Sequence, residues 1–129
     1  MLTSKDVEDA ARLLCAEFGV RRLPKIHWSM RSRNGRYRDG GALPTITVGP
    51  HAWRGVEACM LHEIAHHVDR EGNREDGNLR PRRRWHDERF YLVLRHVVTA
   101  WYGDIESYPW ETEYRSIARA AGRPRGKRS

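Results

Sequence analysis

Sulfur is scarce in this chain. Among 129 residues the only cysteines are Cys15 and Cys59, and both fall in stretches patterned like helices. Two cysteines make neither a disulfide framework nor a four-cysteine zinc ribbon, so both are expected to be small buried hydrophobes. No apolar run approaches the roughly 20 residues that span a bilayer, which excludes a membrane helix. The opening Met1-Leu2-Thr3-Ser4-Lys5-Asp6 lacks the apolar core of a signal peptide, and acids stand already at Asp6 and Glu8. A cytoplasmic location is expected. Methionine is absent after Met60, and lysine is rare: arginine supplies 21 of the 24 basic residues. A net charge of +7 and a sequence pI near 10.0 make attraction to polyanions physically reasonable. Much of the excess lies in Arg80, Arg82, Arg83 and Arg84 and in the tail Arg123-Pro-Arg-Gly-Lys-Arg128. Arginine in place of lysine matches a GC-rich genome better than selection for phosphate contacts, so only a weak nucleic-acid association through these segments is expected.

What is present suits one domain, expected over residues 1–122, with a basic disordered tail over 123–129. Thr3 is placed as a helix N-cap, with Asp6 three residues on in a box-like arrangement. Val7, Ala11, Leu14 and Phe18 then form an amphipathic stripe that Gly19 ends. Lys25 to Met30 alternates well enough for a strand. Asn34-Gly35 and Asp39-Gly40-Gly41 are turn signals, so residues 31–42 are expected to be a mobile, hairpin-like connection. Thr45-Ile46-Thr47-Val48 is a short β-rich run. Helices are expected from about Trp53 to Arg70, from about His86 to Tyr102, and from about Trp110 to Ala121. Residues 71–84 are charged, hold Gly72, Gly77 and Pro81, and are expected to be a loop. Tryptophans are expected to serve as core anchors.

The helix expected from Trp53 contains His62-Glu63-Ile64-Ala65-His66. Histidines at i and i+4 share a helix face, so two imidazoles can reach one ion, and Glu63 can face a water on it. Zinc lowers the pKa of such a water toward about 7, and a carboxylate beside it can take the proton and deliver it to a leaving group. With this composition chance alone produces the pattern in roughly one such sequence in 30, so context matters; here the motif lies mid-helix with a strand just before it.

Catalytic zinc usually has three protein ligands and one open position. A metzincin would need glycine at 69 and histidine at 72, where Asp69 and Gly72 stand, and a later methionine for its Met-turn. Helical phase favours His86 as the third ligand. His86, Phe90, Leu94, Val97 and Trp101 fall on one inward stripe, whereas Glu88 is about 200° round from His86. Glu88, Asp69, Glu106, Glu113 or no third ligand remain alternatives at this level. Asp69, on the face of His62 and His66, is a candidate to orient a ligand imidazole. Tyr91, Tyr102, Tyr114 and His96 are candidates to stabilise an oxyanion. His67 lies off the ligand face as a packing or solvated histidine, and His27, His51 and His96 are taken as structural.

His62-Glu63-x-x-His66-His67, followed about twenty residues later by His86-Asp87-Glu88-Arg89-Phe90, resembles the SprT-like group of zincins, and most of all the small stand-alone metallohydrolases of high-GC bacteria and their phages. The resemblance covers about Thr45 to Trp101. It implies that His62, His66 and His86 hold Zn2+, that Glu63 is the catalytic acid/base, and that the substrate is a peptide or protein. Asp87 stands where that group commonly has glycine, and the chain lacks the cysteines of the group's C-terminal zinc ribbon. The fold implied is an α+β zincin: an N-terminal helix, a small mostly antiparallel sheet, the active-site helix, and a second helix delivering His86. In such folds an exposed edge strand beside the active-site helix takes the substrate as a further strand, a role expected here of Ile46 to Val48. Rival expectations are hydrolysis of a non-peptide amide or ester, a basic nucleic-acid-binding module without catalysis, and a DNA-associated protease combining both.

Overall fold

The computed structural model describes residues 2–75 and 86–123. Arg80, Arg82, Arg83, Arg84 and the tail after Arg123 lie outside the described residues. Within them the chain is a small α+β structure with four α-helices and a three-stranded mixed sheet. Helix α1, Ser4–Glu17, opens on the capping box expected at Thr3 and Asp6. Gly19 follows it at φ +68°, a left-handed position that glycine adopts without a Cβ penalty. Its apolar stripe buries Val7, Ala11 and Leu14.

The sheet differs from expectation. Strands β1 (Lys25–Trp28), β2 (Arg36–Arg38) and β3 (Thr45–Val48) stand in the order β1-β3-β2. β1 pairs with β3 in parallel, Ile26 opposite Ile46, and β2 pairs with β3 antiparallel, Tyr37 opposite Ile46. The sheet is therefore mixed, not mostly antiparallel. β3 is its central strand, with Ile46 and Val48 fully buried, so it cannot be the exposed edge. The segment expected to be a mobile connection contains edge strand β2. Three residues flanked by glycine-rich turns are too short a run to show period-two alternation against that background.

Helix α2, Val56–Glu75, packs against β3, β2, α1 and α3, Glu88–Tyr102. It begins later than expected because Gly55 sits at φ +93°, outside helical space. It also continues past Arg70 into the segment expected to be a loop, running through Gly72. Residues 58–67 are buried without a break, which is the mark of a central helix enclosed on all sides. α3 begins at Glu88 because Asp87 is extended and caps it, its carboxylate accepting from the Phe90 N–H. Phe90, Leu94 and Val97 are fully buried on its inward stripe. The last expected helix is broken. A 3-10 turn at Trp110–Thr112 is followed by extended Glu113, at ψ 171°, and then by α4, Arg115–Ala120.

Cys15 and Cys59 are buried as expected, and burial lifts the Cys15 thiol to about 11. Among the described tryptophans Trp110 is buried, Trp28 and Trp101 are half-buried, and Trp53 is exposed.

Where β1 and β3 end, the backbones approach closely: Ser29 N–H donates to the Val48 carbonyl at 2.9 Å. A Cβ on Gly49 would stand 1.7 Å from the Ser29 carbonyl oxygen. Gly49→Ala must therefore spread the two strands. It is expected to lower stability by about 1–3 kcal/mol, read from the urea midpoint; an unchanged midpoint would refute this packing.

Candidate metal centre

α2 presents His62 and His66 one turn apart toward the start of α3. His86, two residues ahead of that helix, enters from the other side. The three Nε2 atoms lie 3.1 Å from one another in every pairing. His62 and His66 are buried, 3% and 7% exposed, and His86 is half-buried. Phe90 supports the cluster from α3, its ring stacked on His66 at 4.1 Å. Tyr114 stacks on His86 with centroids 3.8 Å apart and planes 15° from parallel.

The tautomer of His62 follows from its partner. Its Nδ1 lies 2.8 Å from Glu113 Oε2. A carboxylate accepts there, so Nδ1 carries the hydrogen and Nε2 presents its lone pair to the other two histidines. Converging imidazole nitrogens are the donor set of a metal site, and these three histidines form a group that can hold an ion. The spacing agrees with tetrahedral coordination of one ion, in which bonds of about 2.0–2.1 Å place ligand nitrogens roughly 3.3 Å apart.

Glu63 lies beside this cluster, 6% exposed. Burial pushes its carboxyl up to about 7, with the neighbouring His62 opposing. Gly35, at the approach to β2, leaves the room it occupies: a Cβ there would stand 2.7 Å from Glu63 Oε2 and 2.8 Å from its Cγ. The histidines and Glu63 line a cavity of about 370 Å³ whose other walls include Arg36, Tyr37, Arg70 and Tyr114. A second cavity, about 250 Å³, shares Gly35, His62, Glu63 and Tyr114 and is bounded by Trp53 and Arg54. Burial also lowers the His86 imidazole to about 4, and His62 adds to the effect.

The other candidates are sorted by this geometry. Glu88 and Glu106 are exposed, and Asp69, buried, faces Arg89 with Nε 3.8 Å from Oδ1. Glu113 belongs to the site behind His62, on its Nδ1, which the sequence pattern did not reveal. It also accepts from Arg54 Nη2 at 2.8 Å and from the Tyr108 hydroxyl. Burial acts to raise its carboxyl, but the hydrogen bond from His62, the Arg54 guanidinium and the Tyr108 hydroxyl outweigh it and hold it at about 2. Of the oxyanion candidates, Tyr114 lines the cavity, Tyr91 packs on Trp110, Tyr102 donates to Glu57 and His96 is exposed. His67 is a packing histidine, fully buried between the Tyr37 hydroxyl at 3.0 Å and the Arg22 carbonyl at 2.5 Å. His27 and His51 are exposed.

No protein-family profile, curated protein or solved structure matches the chain.

The purified protein is expected to take up close to one zinc per chain, measured by elemental analysis after dialysis. His86→Ala should lose most of that zinc, and His51→Ala should keep it. Equal zinc in all three would sink the three-histidine assignment.

Proposed function

We propose that this chain is a zinc metallohydrolase of the zincin type that hydrolyses peptide bonds. The observation that carries this reading is the convergence of His62, His66 and His86 Nε2 at 3.1 Å with Glu63 in the same cavity. Zinc on three histidines supplies a Lewis acid that lowers the pKa of a water toward about 7. Glu63 takes a proton from the attacking water as the new C–O bond forms. It returns that proton to the amide nitrogen as the C–N bond breaks, so the carboxylate is regenerated. Burial favours the protonated form that this second step needs. Tyr114, on the cavity wall, is the phenol placed to donate to the developing oxyanion.

A peptide is favoured over other amides by the edge strand. β2 pairs with β3 along one side, and Arg36 and Tyr37 line the cavity that holds Glu63. An extended substrate can add along the other side of β2 through main-chain hydrogen bonds, which are indifferent to side chain. This gives β2 the role expected from sequence of β3.

Glu63→Gln is the first test, with cleavage of an unfolded protein substrate followed alongside zinc content. Zinc should stay near one per chain while cleavage falls by about 10²–10⁴-fold. Cleavage that survives at the wild-type rate would remove Glu63 from the mechanism, and absence of cleavage in the zinc-loaded wild type would remove the peptidase. Gly35→Ala should act through position alone. By crowding Glu63 it should lower kcat by about tenfold or more without altering zinc content, and an unaltered kcat would show that the crowding is harmless.

A further inference from the structure

We infer that residues 113–116 are the positioning element of the metal site, holding two of its three ligands and setting its affinity. The inference rests on the metal reading above and concerns what makes that site tight.

His62 and His66 share one helix, so their separation is fixed by helical geometry. His86 is different, because it precedes α3 and the Asp87 cap, and the helix does not set its ring. Phe90 of α3 meets its ring edge-on at 5.5 Å, and the closer contacts come from the C-terminal part of the chain. Tyr114 stacks flat on the imidazole at 3.8 Å, and the Ser116 hydroxyl donates to the His86 carbonyl at 2.7 Å. One residue earlier, Glu113 takes the His62 Nδ1–H on Oε2. The same carboxylate accepts the Tyr114 N–H on Oε1 at 3.3 Å, which ties the two contacts into one unit.

That unit is itself anchored. Glu113 is fully buried. Arg54, on the chain leading into α2, donates to Glu113 Oε2, to the Tyr108 hydroxyl and, through Nε, to Thr112 Oγ1, each at 2.8 Å. The break at Glu113 between the 3-10 turn and α4 is what lets its side chain and that of Tyr114 reach different ligands. Outer contacts of this kind on metal-bound histidines change metal affinity by about 10–100-fold when removed. They do so by fixing the tautomer and by sparing the ring its ordering cost on binding.

The test uses the full chain and zinc alone. Dissociation constants are measured by competition with a chromogenic chelator, beside the melting temperature of the metal-free protein. Tyr114→Ala should weaken zinc by about 10–100-fold while the metal-free melting temperature is retained, and Glu113→Gln should weaken zinc likewise while lowering that temperature, because it leaves Arg54 without its carboxylate. Tyr114→Phe keeps the stacked ring, and His96→Ala removes an exposed histidine elsewhere, so both should bind as the wild type does. If Glu113→Gln fails to fold, Tyr114→Ala decides, since Tyr114 is 55% exposed. Affinity of Tyr114→Ala within about threefold of wild type would overturn the inference while leaving the metal site standing. Failure of the wild type to bind zinc would overturn both.

Discussion

Among the described residues, α2 buries six histidine and carboxylate side chains. His62, Glu63, His66, His67, Asp69 and Glu71 all lie on α2 and are at most 7% exposed. Burying such groups costs several kcal/mol apiece unless each finds a partner, so the rest of the molecule is arranged to supply partners. Tyr37 and the Arg22 carbonyl take His67, Arg22 approaches Glu71 at 3.6 Å, and Arg89 faces Asp69. Glu113 takes His62. These partners come from β2, from the chain before β1, from α3 and from the break before α4. A three-residue strand has little intrinsic stability, and the position of β2 follows from the side chains of α2 that it serves, whereas α4 packs on α3 and on the 3-10 turn.

What the sequence disclosed is local. The capping box at Thr3, the Gly19 stop, the β3 run and the stripe Phe90-Leu94-Val97 depend on neighbours within one turn or one strand. The i, i+4 histidines are of the same kind, but the helical phase that favoured His86 does not reach it, because α3 begins at Glu88 and His86 lies ahead of its cap. The edge and the centre of the sheet are not local. Thr45–Val48 has the composition of any short strand, and only the partners on either side make it central and Arg36–Arg38 the edge. Glu113 was hidden for a different reason. Glutamate is a good helix former, and nothing in Trp110–Ala121 marks an extended residue there. Its conformation is fixed by Arg54, Tyr108 and His62, whose sequence separations from it range from 5 to 59.

Two carboxylates flank one imidazole, and their surroundings drive them in opposite directions. Glu63 is enclosed against Gly35 and the cavity wall, where burial dominates and lifts it to about 7. Glu113 is as deeply buried, yet the bond from His62, the Arg54 guanidinium and the Tyr108 hydroxyl hold it at about 2. Identical chemistry thus yields a group able to gain and lose a proton and a group fixed as an anion. In the proposed mechanism that division would separate acid/base work at Glu63 from orientation of His62 by Glu113. It also accounts for the geometry of the break before α4. A carboxylate delivered from a continuous helix would share one surface with its neighbours on that helix. Extended Glu113, followed directly by Tyr114, places consecutive side chains on two different histidines. The fold therefore places its least regular backbone beside the histidine cluster, and keeps its regular helices for the residues that motif spacing alone can align.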